Sequence, residues 1–289
     1  MNDFISLYKE NLIAKNKSNN TVEAYITDIV GYYNFLEENN IDPLDNDYSV
    51  NYYVQAITET KSVKSIERCV IALRSYYRFL NDNNLVKQVP KFPKVDRNER
   101  RDIGPILTVE EVEKIINCID ISNIKGIRDR AVLEILYGTG IKATEAISLT
   151  VDDVNLDLNF ITCKDGRGLE RIIPFGRAAR NAIIEYLSQR EKISKDEEML
   201  FLNLNGKGLT RQGIWRIVKE YNEKASIKKI INLNTLRHSF AIHLLENGAN
   251  PKIVQQLMGT HVMNYMDLYF DYVSKDKVNI SYNNFHPRA

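Results

Sequence analysis

The residues with the most chemical potential lie late in the chain. Arg237 stands in Asn234-Thr235-Leu236-Arg237-His238-Ser239-Phe240-Ala241-Ile242-His243-Leu244-Leu245-Glu246-Asn247-Gly248, and a phenol, Tyr269, follows 32 positions later. A guanidinium is a planar fork that grips a phosphate through two parallel hydrogen bonds. Arg237 can therefore hold a phosphate, and the plainer reading is a salt-bridged helix arginine. Tyr269 is one of 16 tyrosines, and residue type alone assigns it nothing. His238 reads as packing or as a group behind the reacting ones, and His243 as core. Cleaving a phosphodiester through a tyrosine needs a nucleophilic phenol, cations for the two non-bridging oxygens and a proton donor for the leaving 5′-oxygen. No clustered His, Cys and Asp spacing suggests a metal, and no cofactor is expected.

The text around these residues resembles the signature of the tyrosine recombinases, the phage-integrase and Xer-type family, which reads His-x-Leu-Arg-His-Ser/Thr-Phe-Ala-Thr-His-Leu at this place. Met266-Asp267-Leu268-Tyr269 is similar to the family's Thr-Gln-Ile-Tyr segment. The resemblance implies that Tyr269 is the nucleophile and Arg237 the second of two phosphate-binding arginines. It places the first at Lys142, in Gly138-Thr139-Gly140-Ile141-Lys142-Ala143-Thr144-Glu145. The family's hairpin lysine falls on Arg167, in Gly166-Arg167-Gly168-Leu169-Glu170-Arg171, with Lys164 a substitute outside the turn. Two histidine positions hold Asn234 and Thr260, and His261 follows one place on.

Each exchange is chemically unequal. Lysine replaces a rigid five-donor fork by a mobile point charge. Arginine is too basic to release a proton near neutral pH, and neither Asn234 nor Thr260 can exchange one. If each lost donor costs about 3 kcal/mol, three losses approach about 8 kcal/mol, or several powers of ten in turnover. Affinity for DNA falls far less, because it is spread over many phosphates. The favoured expectation is therefore a sequence-specific DNA-binding regulator, such as a phage or mobile-element repressor, with impaired or absent cleavage. The alternative is an active recombinase that cuts through a 3′-phosphotyrosyl intermediate at Tyr269. A protein-binding helical scaffold is a further one.

Helical periodicity spans most of the chain. Val22, Tyr25, Ile26, Ile29, Tyr32, Tyr33 and Leu36 form one stripe over residues 21–40, capped by Asn20 or Thr21. A second stripe runs over 63–81 through Ile66, Val70, Leu73, Tyr77 and Leu80, with Lys64, Arg68, Arg74 and Arg78 on its other face. Pro90 and Pro93 then interrupt a cluster of Lys91, Lys94, Arg97, Arg100 and Arg101, which reads as an extended basic linker. Thr108 and Glu111 form a capping-box start for a helix through Ile119, and another helix runs over 129–137. Residues 160–162 and 171–175 are strand candidates around the turn at 164–168. Helices resume over 177–191, 211–225, 236–246 and 251–258.

The expected architecture is thus mostly α with a small antiparallel β-sheet. It comprises an N-terminal helical bundle (1–86), a basic linker (87–104) and a C-terminal α+β domain (105–289). The resemblance implies that the two domains clamp double-stranded DNA, the N-terminal one being a SAM-like core-binding domain. Lys64, Arg68, Arg74 and Arg78, the linker cations, and Lys207, Arg211, Arg216 and Lys219 are the candidate contacts. A tail from Ser274 is expected to join copies of the chain.

The 289 residues suffice for two cores. Composition, 44% hydrophobic and 27% charged, is that of an ordinary globular chain. A net charge of +1 supplies no global cationic field, so any nucleic-acid binding rests on local patches. Cys69, Cys118 and Cys163 read as buried reduced thiols. No signal peptide and no apolar run of roughly 18 residues is present, so a cytoplasmic protein away from membranes is expected.

Overall fold

A computed structural model describes residues 2–42, 46–93, 103–166, 168–194, 197–259, 268–269 and 272–273. The chain divides into two compact units, Met1–Arg100 and Arg101–Ala289.

The first unit is four helices, α1 (Asn2–Ala14), α2 (Asn19–Glu38), α3 (Asn46–Thr58) and α4 (Val63–Asp82). The stripes expected for α2 and α4 are the buried ones, and both meet α1 and α3 around Leu12, Ile29, Leu36, Val54 and Leu73. Helices α1 and α3 lacked a stripe clear enough to announce them. The cap of α2 is Ser18 rather than Asn20 or Thr21; its side chain accepts from the Thr21 backbone N–H. This core is rich in tyrosine. Several of its hydroxyls satisfy one another, Tyr32 with Ser49 at 2.7 Å and Tyr77 at 2.9 Å, and Tyr33 with Tyr76 at 3.1 Å. Within the span read as linker, Val89 and Phe92 pack against this core, and the Arg74 guanidinium lies 5.2 Å from the centre of the Phe92 ring.

The second unit is built on α5 (Val109–Asn117), α6 (Ile124–Thr139), α7 (Ala143–Ala146), β1 (Val154–Asn155), β2 (Phe160–Lys164), β3 (Glu170–Pro174), α8 (Arg177–Arg190), α9 (Arg211–Lys224), α10 (Thr235–Glu246) and α11 (Pro251–Met258). The capping box at Thr108 and Glu111 is present. Helix α6 begins five residues before the expected 129, because Asn123 caps it and Arg128 and Asp129 are buried inside it as an ion pair. Apolar on several faces, α6 is the central helix, packed against α8 and α10. The three strands form an antiparallel sheet in the order β1-β2-β3. Strands β2 and β3 match the expected hairpin, whereas β1 is too short to show alternation. The expected mostly helical architecture with a small antiparallel sheet is the observed one.

Cys69 and Cys163 are buried and free, but Cys118 is exposed. It caps the C-terminus of α5, where the chain turns out to solvent, so apolar neighbours in sequence do not enclose it. Among the described residues no helix is long and apolar enough to cross a membrane.

Candidate active site

The short helix α10 positions most of the site. Its residues Thr235 to Ala241 are buried in succession, which is why the apolar spacing of this segment is weak: every face has a neighbour. Arg237 is 5% exposed and donates to two backbone carbonyls, Gly140 from Nη1 at 2.5 Å and Met258 from Nη2 at 2.5 Å. The guanidinium therefore ties the end of α6 to the end of α11. Burial lowers its pKa, while the nearby Glu145 carboxylate and Tyr269 phenol act in the opposite direction.

Two glycines make this approach feasible. Gly140 closes α6 with φ 61°, and a Cβ there would lie 2.2 Å from the Phe240 ring. Gly259 closes α11 with φ 58°, and a Cβ would lie 2.7 Å from the Arg171 guanidinium. Both positions demand a left-handed backbone and a missing side chain.

Lys142 begins α7. Its ammonium is 3.6 Å from Glu145, and the side chain is 45% exposed. Glu145 is buried and is held chiefly by Arg171, whose Nη1 and Nη2 donate to the two carboxylate oxygens at 3.1 and 2.8 Å. Arg171 also donates from Nε to the Leu257 carbonyl at 2.9 Å. Burial raises the Glu145 carboxyl, but Arg171 and the Lys142 backbone N–H outweigh it and hold the pKa below the usual range. The network leaves the Lys142 side chain half-exposed.

Tyr269 is 1% exposed, and its hydroxyl lies 2.7 Å from Nδ1 of His238, itself 8% exposed. His243, expected in the core, is half-buried and bonds Tyr137 through Nδ1 and the Leu107 carbonyl through Nε2. Lys142, Arg237 and Tyr269 thus gather around the ends of α6, α10 and α11. Asn234 is exposed before the first turn of α10 and lines a groove of about 440 Å³ with Arg211, Gln212, Trp215, Asn232 and Leu233. Lys164 pairs with Glu170 at 3.3 Å on the hairpin. Arg167, Thr260 and His261 lie outside the described residues.

Glu145 and Arg171 carried no assigned role in the sequence reading. One signal was available: Arg171 shares the inward face of β3 with Ile173, and a charge at an inward position demands a partner. His238 was read as packing; what sequence could not give was the phenol facing it.

Of the candidate DNA contacts, Lys64 and Arg78 are exposed on α4, and Lys207, Arg211, Arg216 and Lys219 are exposed in and before α9. Arg68 is engaged by Asp28 at 2.9 and 3.0 Å, Arg74 is half-buried on Phe92, and Lys91 is exposed with its backbone N–H on Asp47. Lys94, Arg97, Arg100, Arg101 and the tail from Ser274 lie outside the described residues.

The second unit thus brings a buried tyrosine beside a carbonyl-anchored arginine. Comparison with known proteins gives the family. Residues 105–272 match the phage integrase family, and residues 5–84 match the phage integrase N-terminal SAM-like domain. The chain belongs to the tyrosine recombinase, or phage integrase, family. Tyrosine recombinase XerD of Staphylococcus epidermidis is 37% identical over 302 residues, covering 100% of both chains. Two solved structures share the fold. One is XerH recombinase bound to palindromic difH substrate in a post-cleavage complex (TM-score 0.76, 20% identity, 93% of this chain and 81% of that one). The other is the Tn1549 transposon integrase in complex with transposon right-end DNA (TM-score 0.74, 20% identity, 98% and 99%).

Proposed function

We propose that this chain is a site-specific DNA strand-transfer protein. It binds double-stranded DNA and joins one strand to Tyr269 as a 3′-phosphotyrosyl ester, at a rate reduced by Lys142 and Asn234. The observation that carries this reading is the buried Tyr269 phenol beside Arg237 and His238. The phenolic oxygen attacks phosphorus, Arg237 and Lys142 neutralise the non-bridging oxygens, and the 5′-oxygen leaves. The ester conserves the energy of the broken bond, so no cofactor is required. Full-length relatives named XerD favour this reading over the repressor expected from sequence.

Lys64, Arg78, Lys207, Arg211, Arg216 and Lys219 are the proposed DNA contacts, with the cations of 87–104 between the domains 1–86 and 105–289. Copies of the chain assemble on DNA through the tail, in the cytoplasm. A second reading, a DNA-binding regulator that does not cut, is favoured by the exchanged residues Lys142 and Asn234.

The test begins by selecting bound fragments from a random duplex pool. A nick is then placed beside the scissile phosphate, so that cleavage traps the protein. Covalent adduct that survives denaturation and vanishes in Tyr269→Phe supports strand transfer. Binding without any adduct leaves the regulator reading standing and rejects the first.

A further inference from the structure

We infer that His238 is a catalytic residue of this chain: its Nδ1 takes the proton of the Tyr269 phenol as that oxygen attacks phosphorus. The inference rests on the strand-transfer reading above. Its geometric basis is the 2.7 Å separation of Nδ1 from the hydroxyl, with ring centroids 5.7 Å apart and planes inclined by 56°. That is hydrogen-bond reach for a general base. Both side chains are buried, so bulk water does not compete for the proton.

Among the described residues, the other groups considered for the proton are bonded elsewhere or unsuited. Asn234 cannot exchange one and is exposed at the start of α10. His243 is bonded at both ring nitrogens to Tyr137 and Leu107. Of the chain's four histidines, His261 and His286 lie outside the described residues. Helix geometry supplies the division of labour. Successive residues are turned by about 100°, so Arg237 reaches toward the ends of α6 and α11 while His238 meets the phenol. Among the described residues, Arg237 lies near the Tyr269 phenol, and Glu145 and Arg171 lie near Arg237. The Arg237 cation stabilises the phenolate oxygen as it forms.

The step balances within the site. Neutral His238, protonated on Nε2, accepts the phenolic proton at Nδ1 and becomes imidazolium. The phenolic oxygen forms its bond to phosphorus. The 5′-oxygen departs with the electron pair of the broken P–O bond and takes a proton from water. In the reverse step the imidazolium returns its proton to the released phenol.

The test follows adduct formation on the nicked substrate against pH for the native chain, His238→Asn, His238→Gln, His261→Asn and Tyr269→Phe. Asparagine keeps an acceptor near the Nδ1 position but cannot take a proton, and thermal unfolding identifies a variant that fails to fold. A second substrate carries sulfur at the 5′-bridging position, whose leaving group needs no proton. The native rate is expected to rise with pH until the imidazole is neutral and then level. His238→Asn is expected to be slower on the order of 100-fold on both substrates and to lose that rise. Four results overturn the inference while leaving strand transfer intact: a His238→Asn rate and pH profile equal to native, a faster rate, rescue by the sulfur substrate, or a loss confined to His261→Asn. Absence of adduct from the native chain on either substrate rejects strand transfer and this inference with it.

Discussion

At the scale of single residues, Arg237 and Lys142 differ in how firmly each cation is held. Arg237 retains its fork and is anchored by two carbonyls, so its orientation is set before any ligand arrives. Lys142 has a charge but no fork, and it stands half-exposed beside Glu145. Lys142→Arg should therefore raise adduct formation by about 10- to 100-fold, since one preorganised donor is worth a factor of that order. Rates on the nicked substrate check this, and an unchanged rate would show that the exchange at 142 does not limit the chemistry. Asn234→His is expected to add less. Residue 234 is exposed and lines the groove by Trp215, so a histidine there is held less firmly than a buried one.

At the scale of elements, the site depends on how the ends of α6, α7, α11 and β3 are tied. The Glu145 and Arg171 pair crosses from α7 to β3, and Arg171 continues to the last turn of α11. Removing one partner of a buried pair strands the other, so Glu145→Gln should cost about 3–5 kcal/mol in urea unfolding. The pH dependence follows from sign. The folded pKa of Glu145 lies below its unfolded value. Its contribution is fully present above the unfolded carboxylate value of about 4.3 and is lost as the pH falls through the lower folded value. Acid unfolding of Glu145→Gln should therefore be less steep than native in that window. Gly140→Ala should destabilise by about 2–3 kcal/mol, because strain at φ 61° adds to a collision with Phe240. It should also slow adduct formation by displacing the carbonyl that holds Arg237; retention of native rate and stability would contradict the anchoring role of this turn.

At the scale of the whole molecule, a net charge of +1 places the burden of DNA binding on local cations. Apparent affinity should fall steeply with salt, and each phosphate contact removed should reduce the slope of log K against log salt by about 0.9. Lys64→Ala with Arg78→Ala is expected to lower the slope by about twice that, whereas Arg68→Ala should chiefly lower stability, since it abandons the buried Asp28 carboxylate. Filter binding over a salt series separates the two outcomes.

Much of this arrangement was legible before the structure. The amphipathic stripes of α2 and α4, the capping box of α5, the α6 terminus at Gly140 and the β2–β3 hairpin follow from local periodicity and turn chemistry, which are properties of neighbouring residues. Tyr269 and Arg237 were recognisable from the residues around them. By contrast, α1 and α3 carry weaker stripes, and the start of α6 was hidden because its first turns bury charges in partnership with distant groups. Sequence determined which side chains were available for phosphate chemistry and which had been exchanged. Only the tertiary structure decided that His238 faces the phenol and that Arg171 holds Glu145. Those are contacts between elements far apart in the chain, and their geometry comes from packing, which no local spacing encodes.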